Sequence, residues 1–522
     1  MTRGLTALML QIPLCAILLA AASAQVAPSQ CPARPGAGST VVDPVAIASS
    51  NGVLQGAVTL RSAIDTDGNV RYCFISPQGE APTLRVNPGD QINLQLTNRI
   101  TQTGSQHVHP MPVSNPCANS VMSGTSTNIH FHGLNITPTC HADDVLRTVV
   151  NPTDPPFLYR FRIPLNEPPG VYWYHPHMHG LTQAQIMGGA SGAIIVEGIE
   201  QIKPEVAGLT QRVFILRDAL VATGGGGDND LSNLSINFVP ATYPNTAPPK
   251  ITTAPGEKQF WRVLNAAGEN FMNLQVWING IPEDLQVISL DGTPQKRDQF
   301  QKTITIPPSG RAEFIMQGPN VGDSATFITN GIDTGVDGDP NPPHTLAFIT
   351  PTGSAKPAAQ PSGEKLKGER RFADLDTQKA VVQRSLYFSE DITDPLNPKF
   401  FLTVDGQTPK QFDPKDPPAI VTTQGAVEEW TIENRSGEIH AFHMHQIHFV
   451  VEEVNGQPVR DAKIMDTVVV SPWDKISTTD PSVKLRMDFR YPESVGTFVY
   501  HCHILDHEDG GMMAKIQVNP AN

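Results

Sequence analysis

The chain has 522 residues, 39% hydrophobic and 17% charged, which excludes a disordered chain and a coiled coil, and at about 150 residues per domain its length suggests about three domains. Its 42 Gly and 47 Pro punctuate the sequence too often for long helices and point to an all-β protein. The formal net charge of −14 argues against a nucleic-acid partner, because phosphate binding needs a basic face.

In chain order, residues 1–24 read as a secretory signal. Arg3 is the only charge, Leu5 to Ala20 is mostly apolar, and Ala22-Ser23-Ala24 is a small-residue cleavage site. The apolar stretch is shorter than the roughly 20 residues a membrane span needs. No later segment is long and apolar enough either, so the mature chain is expected to begin near Gln25, without a membrane span, in the periplasm or outside the cell. Of the six Cys, Cys15 leaves with the signal and Cys502 sits between two His. Cys31, Cys73, Cys117 and Cys140 remain, an even number suited to disulfides in an oxidising compartment. Three connectivities are open to them; Cys117–Cys140 with Cys31–Cys73 is favoured, because the first closes a short loop.

Three segments look like β modules: 25–199, 200–350 and 372–522, the last two separated by a Pro-, Gly-, Ala- and Lys-rich linker over 351–371. In the first, the turn Asn87-Pro88-Gly89-Asp90 precedes an alternating strand with Ile92, Leu94 and Leu96 on one face. In the second, Pro255-Gly256-Glu257 precedes Phe260 to Leu264, and Gly224 to Gly227 reads as a surface loop. In the third, Gly425 precedes Val427 to Asn434. The turn-strand-Asn pattern ending at Asn98, Asn265 and Asn434 suggests three copies of one β-sandwich.

Histidine carries the strongest signal. With 16 His in 522 residues, random placement gives about 0.5 His-x-His pairs when matches are counted. The chain has six, at 107/109, 130/132, 175/177, 177/179, 443/445 and 501/503. Along a strand, residues i and i+2 share a face about 7 Å apart. Paired imidazoles can therefore serve adjacent metal ions. In His501-Cys502-His503 the two imidazoles face one side and the thiol the other, toward a second centre. His507 and Met512 follow. A thiolate, imidazoles and a weak axial Met make a blue-copper site, for which His440 is the best further candidate.

These motifs carry a resemblance. His130-Phe131-His132-Gly133, Trp173-Tyr174-His175-Pro176-His177, His440-x-x-His443-x-His445 and His501-Cys502-His503-x3-His507-x4-Met512 are similar, in order and placement, to those of three-domain multicopper oxidases of the laccase and ascorbate oxidase type. The resemblance implies three cupredoxin-like Greek-key β-sandwich domains and four copper ions. The type 1 copper would take His440, Cys502 and His507, with Met512 axial; the type 2 copper His130 and His443. The type 3 pair would take His132, His175, His177, His445, His501 and His503. The cluster would lie between the first and third domains, with the second as spacer and wall.

It also implies the reaction. A reducing substrate, a phenol or aromatic amine in the laccase-like reading, would give single electrons to the type 1 site. Electrons would pass along His501-Cys502-His503, and O2 would be reduced to water. Asp143, Asp144 and Glu508 are candidate proton relays, with no basis for choosing between the two Asp. An axial Met, rather than Leu or Phe, implies a lower type 1 potential. The alternatives are a metallo-oxidase of Cu(I), Mn(II) or Fe(II), and a copper-binding cupredoxin without O2 chemistry, which the full ligand set argues against. Zinc fits less well, since its catalytic sites need only three protein ligands. His107, His109 and Met111 with His141 and His179 could form an extra copper site, though exposed loop residues are the simpler reading. His344 and His448 receive no ligand role.

Overall fold

The computed structural model describes residues 1, 31–65, 68–101, 115–118, 120–219, 233–241, 247–354, 371–372, 374–394 and 397–521. Thr2 to Ala24 of the expected signal, His107, His109, Met111, Gly224 to Gly227 and most of the linker therefore lie outside them. The described strands form six sheets, packed in pairs as three β-sandwiches. In the first, strands 46–48, 83–86, 192–196, 170–175 and 130–132 face the four strands 70–75, 53–64, 91–99 and 157–162. The second and third pair a seven-stranded with a six-stranded sheet and a six-stranded with a five-stranded sheet. Each has its own apolar core. The boundary between the first two is not sharp in sequence: Val41 packs in the core of the second sandwich, and its N–H donates to Lys250 O at 2.8 Å.

The repeated pattern is structural. Gln91–Arg99 buries Ile92, Leu94 and Leu96, as its alternation requires. It pairs in parallel with Val53–Ile64. Lys258–Asn265 pairs in the same sense with Thr210–Arg217, and Val427–Asn434 with Val382–Asp391. Each of these three strands ends near a buried Asn that acts as a clamp. Asn98 Nδ2 donates to the carbonyls of Thr125 and Val150, Asn265 Nδ2 to those of Asn270 and Pro307, and Asn434 Nδ2 to those of Glu438 and Ser471. In all three the Oδ1 accepts an N–H two residues on, from Ile100, Ala267 and Ser436. A buried amide that satisfies both its ends can fix the following loop, because any other residue would leave backbone groups unpaired.

Both disulfides form, Cys31–Cys73 and Cys117–Cys140, and Cys502 is free and buried. Where the domains meet, Val171, Trp173, Ile186, Ile215, Leu264 and Leu505 make one apolar cluster from all three sandwiches. The helices Thr182–Met187 and Leu505–Asp509 meet there. The Asp509 carboxylate caps the first of them, accepting N–H groups from Gly180 at 2.8 Å and Gln183 at 2.9 Å. Among the described residues no helix is long and apolar enough to cross a membrane.

Candidate metal centres

Four strands carry six of the ten candidate histidines; His177, His445 and His503 lie within two residues of strand ends, and His507 is on the helix Leu505–Asp509. His130–His132 lies antiparallel to Gly170–His175, with His130 opposite His175. His440–Met444 lies antiparallel to Gly496–Cys502, with His443 opposite His501 and Phe442 opposite Cys502. The outer sandwiches thus present matching pairs of histidine-bearing strands. Period-2 alternation turns Cys502 into the third-domain core, while His501 points to the domain interface.

On the core side, Cys502 Sγ lies 3.6 Å from His440 Nδ1 and 3.8 Å from His507 Nδ1, and the two Nδ1 atoms are 3.3 Å apart. Two nitrogens bound at about 2.0 Å to one tetrahedral ion lie about 3.3 Å apart, so this triangle fits a single metal. The outer ring atoms are anchored. His440 Nε2 lies 2.7 Å from Ser436 Oγ and 3.2 Å from Glu390, and His507 Nε2 lies 3.3 Å from Glu438. Phe388 packs against the His440 ring and Phe400 stacks on the His507 ring. Burial works against charge on His440, but Cys502 and Glu390 outweigh it and push the imidazole up to about 9. Burial likewise opposes the thiolate, yet the two imidazoles bring Cys502 down to about 7. Met512 is fully buried, and its backbone ties the loop: Cys502 N–H donates to Met512 O, and Met512 N–H to His507 O.

On the interface side the other eight histidines converge, all buried. Three groups are within ligating reach: His130, His132 and His443; His132, His175 and His503; His177, His445 and His501. In the last, His501 Nε2 lies 3.4 Å from His177 Nε2 and 3.2 Å from His445 Nε2. Nδ1 of His130 donates to Asp143, Nδ1 of His175 to Pro176 O and Nδ1 of His443 to Asp466 O, so each Nε2 is left without a partner among the described residues. In His132 the roles reverse: Nε2 donates to Asp466 Oδ1 at 3.3 Å and Nδ1 is left over. Burial holds all eight rings below their ordinary range, reinforced by mutual repulsion in all but His501. Neutral imidazoles with unpartnered, converging lone pairs form a metal-binding surface. A thiolate with two imidazoles suits copper, and imidazoles suit it in both oxidation states.

Models of the multicopper oxidase family match residues 116–201 and 388–522. The chain belongs to the multicopper oxidases. It is 24% identical over 458 residues to the multicopper oxidase mco of Staphylococcus haemolyticus, covering 84% of this chain and 81% of that one. A laccase of Bacillus subtilis is 23% identical over 474 residues, 84% of this chain and 88% of its own. A multicopper oxidase of Campylobacter jejuni, described as a metallo-oxidase, superposes with a TM-score of 0.68 at 19% identity, over 93% of this chain and 96% of that one.

For this multicopper oxidase the structure separates residues that sequence could not. Asp143 is buried, accepts the Phe131 N–H at 2.9 Å and sits 2.9 Å from His130 Nδ1. Its neighbour Asp144 turns away to pair with Arg147 at 2.8 Å. Glu508 lies between His177 Nε2 at 3.5 Å and His501 Nδ1 at 3.2 Å. His141 does not join a site: it stacks on Phe157, and the neighbouring Cys117 and Cys140 are spent in a disulfide. His179 packs against Phe412, His344 is buried, and His448 is buried with its Nε2 donating to Asp291 O at 2.9 Å and lying 3.5 Å from Asp466. Glu390, Glu438, Ser436, Asp466 and Arg311 were missed by sequence reading, since nothing in their local spacing marks them. Nor is the second domain only a wall: its Arg311 and Asp291 reach the residues that hold the cluster.

Proposed function

We propose that this multicopper oxidase is laccase-like, exported, and loaded with four coppers: one on His440, Cys502 and His507 with Met512 axial, one on His130 and His443, and a pair on His132, His175, His177, His445, His501 and His503. The observation that carries the reading is the pair of centres linked by one tripeptide. Cys502 faces one, His501 and His503 face the other, and His501 Nδ1 donates to Cys502 O at 2.8 Å, adding a hydrogen-bonded route to the covalent one. Bound copper supplies the one-electron steps and the reduction of O2 to water.

The chain's own residues do the rest. Burial, with the charge of Asp509, holds the Glu508 carboxyl well above its ordinary range, so it keeps a proton beside His177 and His501. Burial pushes Asp143 up to about 7, placing a second proton holder beside His130. Electron donors would dock at the mouth of a narrow cleft between the second and third domains, beside Glu269, Asp339 and Glu438, the last lying 3.3 Å from His507 Nε2. The carboxylates accept phenol O–H or amine N–H groups. Export is supported by the two disulfides and by the apolar leader at 1–24.

A second reading has its own support. Burial and the neighbouring carboxylates of Asp506 and Asp218 push Glu269 up to about 8, and a cleft this rich in carboxylates favours a cationic donor. That suits Cu(I), Mn(II) or Fe(II) as substrate. O2 uptake with a panel of phenols, aromatic amines and the three metal ions decides between them. Turnover on the organic donors at rates above those on the ions supports the laccase-like reading. Turnover on the ions alone replaces it with the metallo-oxidase, and no O2 uptake with any donor removes both.

A further inference from the structure

Arg311 of the second domain is fully buried at the point where all three domains meet. Its guanidinium forks onto Asp466 of the third domain, NH1 on Oδ1 at 2.7 Å and NH2 on Oδ2. Its Nε donates to Val171 O of the first domain at 3.3 Å, and its NH1 also donates to Ser309 O at 3.2 Å. Such a bidentate pair fixes both position and plane of the carboxylate.

Asp466 uses that fixed geometry twice. Its Oδ1 accepts from His132 Nε2 at 3.3 Å, and its backbone carbonyl accepts from His443 Nδ1 at 2.8 Å. These two rings lie stacked, 3.9 Å apart and 15° from parallel. Each hydrogen bond decides which ring nitrogen is left over: Nδ1 in His132, Nε2 in His443. In His132, unlike His130, His175 and His443, the free nitrogen is Nδ1, so its tautomer depends on this one carboxylate.

Gly133 shows how closely the pair is seated. Its φ is +83°, and a Cβ there would lie 2.5 Å from Arg311 NH2 and 2.6 Å from Asp466 Oδ2. The glycine in His130-Phe131-His132-Gly133 is therefore needed because the ion pair packs directly on the backbone that follows His132.

We propose that Arg311 is a positioning residue for the cluster: by locking Asp466 it turns Nδ1 of His132 and Nε2 of His443 toward the metals, so the middle domain sets the ligand geometry of a centre to which it gives no ligand. The proposal rests on the four-copper reading above. Arg311→Met keeps the volume and removes the fork, and Arg311→Lys keeps the charge alone. The copper-loaded full chain is titrated with a chelator while the blue absorbance, the type 2 electron paramagnetic resonance spectrum and bound copper are followed. In Arg311→Met, non-blue copper is expected to be lost at about 10- to 100-fold lower chelator concentration, as for other outer partners of metal ligands. The type 2 spectrum should change and the blue band stay, with Arg311→Lys in between. An unchanged type 2 spectrum and copper retention in Arg311→Met overturn the proposal, as does parallel loss of blue and non-blue copper, which marks a merely structural role. Should Arg311→Met not fold, Gly133→Ala, which pushes on the same pair, must reproduce the selective loss or the proposal fails. A wild-type chain that binds no non-blue copper overturns the four-copper reading instead.

Discussion

His132 and His443 lie face to face, their ring centroids 3.9 Å apart, although one comes from the first sandwich and the other from the third. A similar pair repeats beside them, with His130 stacked on His445 at 3.8 Å. Two first-domain rings thus interleave with two third-domain rings, so the cluster exists only when the outer domains dock. The apolar contact around Trp173 and Leu505 and the cap of Asp509 on the 182–187 helix hold that docking.

The two adjacent aspartates should differ sharply. Asp143→Asn weakens the hydrogen bond that orients His130 and should lower copper affinity or turnover by about 10- to 100-fold. Asp144→Asn removes only the ion pair with Arg147, whose side chain is 68% exposed, and leaves the Asp143–His130 hydrogen bond in place. Turnover and bound copper in the two variants check this; equal losses would show that Asp143 has no special place.

Glu508→Gln keeps the volume of the side chain between His177 and His501 but cannot deliver a proton. Return of the blue colour after reduced protein meets O2 should slow by about 100-fold or more. The blue band of the oxidised protein should be unchanged. Stopped-flow absorbance measures both, and a reoxidation rate equal to wild type would remove Glu508 from proton delivery.

Met512 is buried in the third-domain core next to the thiolate centre. Met512→Leu nearly conserves volume and should cost less than about 1.5 kcal/mol. It would remove the thioether proposed as the axial ligand, so the potential of the blue site should rise in a redox titration. A lowered potential would contradict an axial role.

Glu167 gives a pH test away from the metals. It is buried, accepts from Asn135 Nδ2 at 2.8 Å, and burial pushes its carboxyl up from its ordinary range to about 7, against the opposing charge of Arg371. The folded state therefore binds this proton more tightly than the unfolded chain. Its contribution to stability is complete below about pH 4.5 and is lost as the pH rises through about 7. Glu167→Gln has no such loss, so its Tm should gain on wild type between pH 5 and pH 8. A calorimetric Tm difference that stays constant over that range would sink the assignment.

Much of the site was legible because its ligands come in local patterns. His-x-His spacing meets the period of a strand, and Cys502 between two histidines alternates to the opposite face. Even the Asn98, Asn265 and Asn434 repeat could be seen before its purpose, which is to clamp the loop after each strand. The partners of those ligands left no such trace. Asp143 and Asp144 are indistinguishable as letters; only the turn of the backbone aims one at His130 and the other at Arg147.

The order of residues alone thus determined the β-rich architecture and which histidines share a strand face, since strand periodicity is a short-range rule that spacing records. Docking of the three sandwiches decided which acid faces the cluster, which nitrogen of His132 is free, and that Arg311 of the middle domain grips Asp466. Those outcomes depend on side chains far apart in the chain and meeting in a dry junction. There an unpaired charge is costly, so each group is held by the partner that folding brings to it.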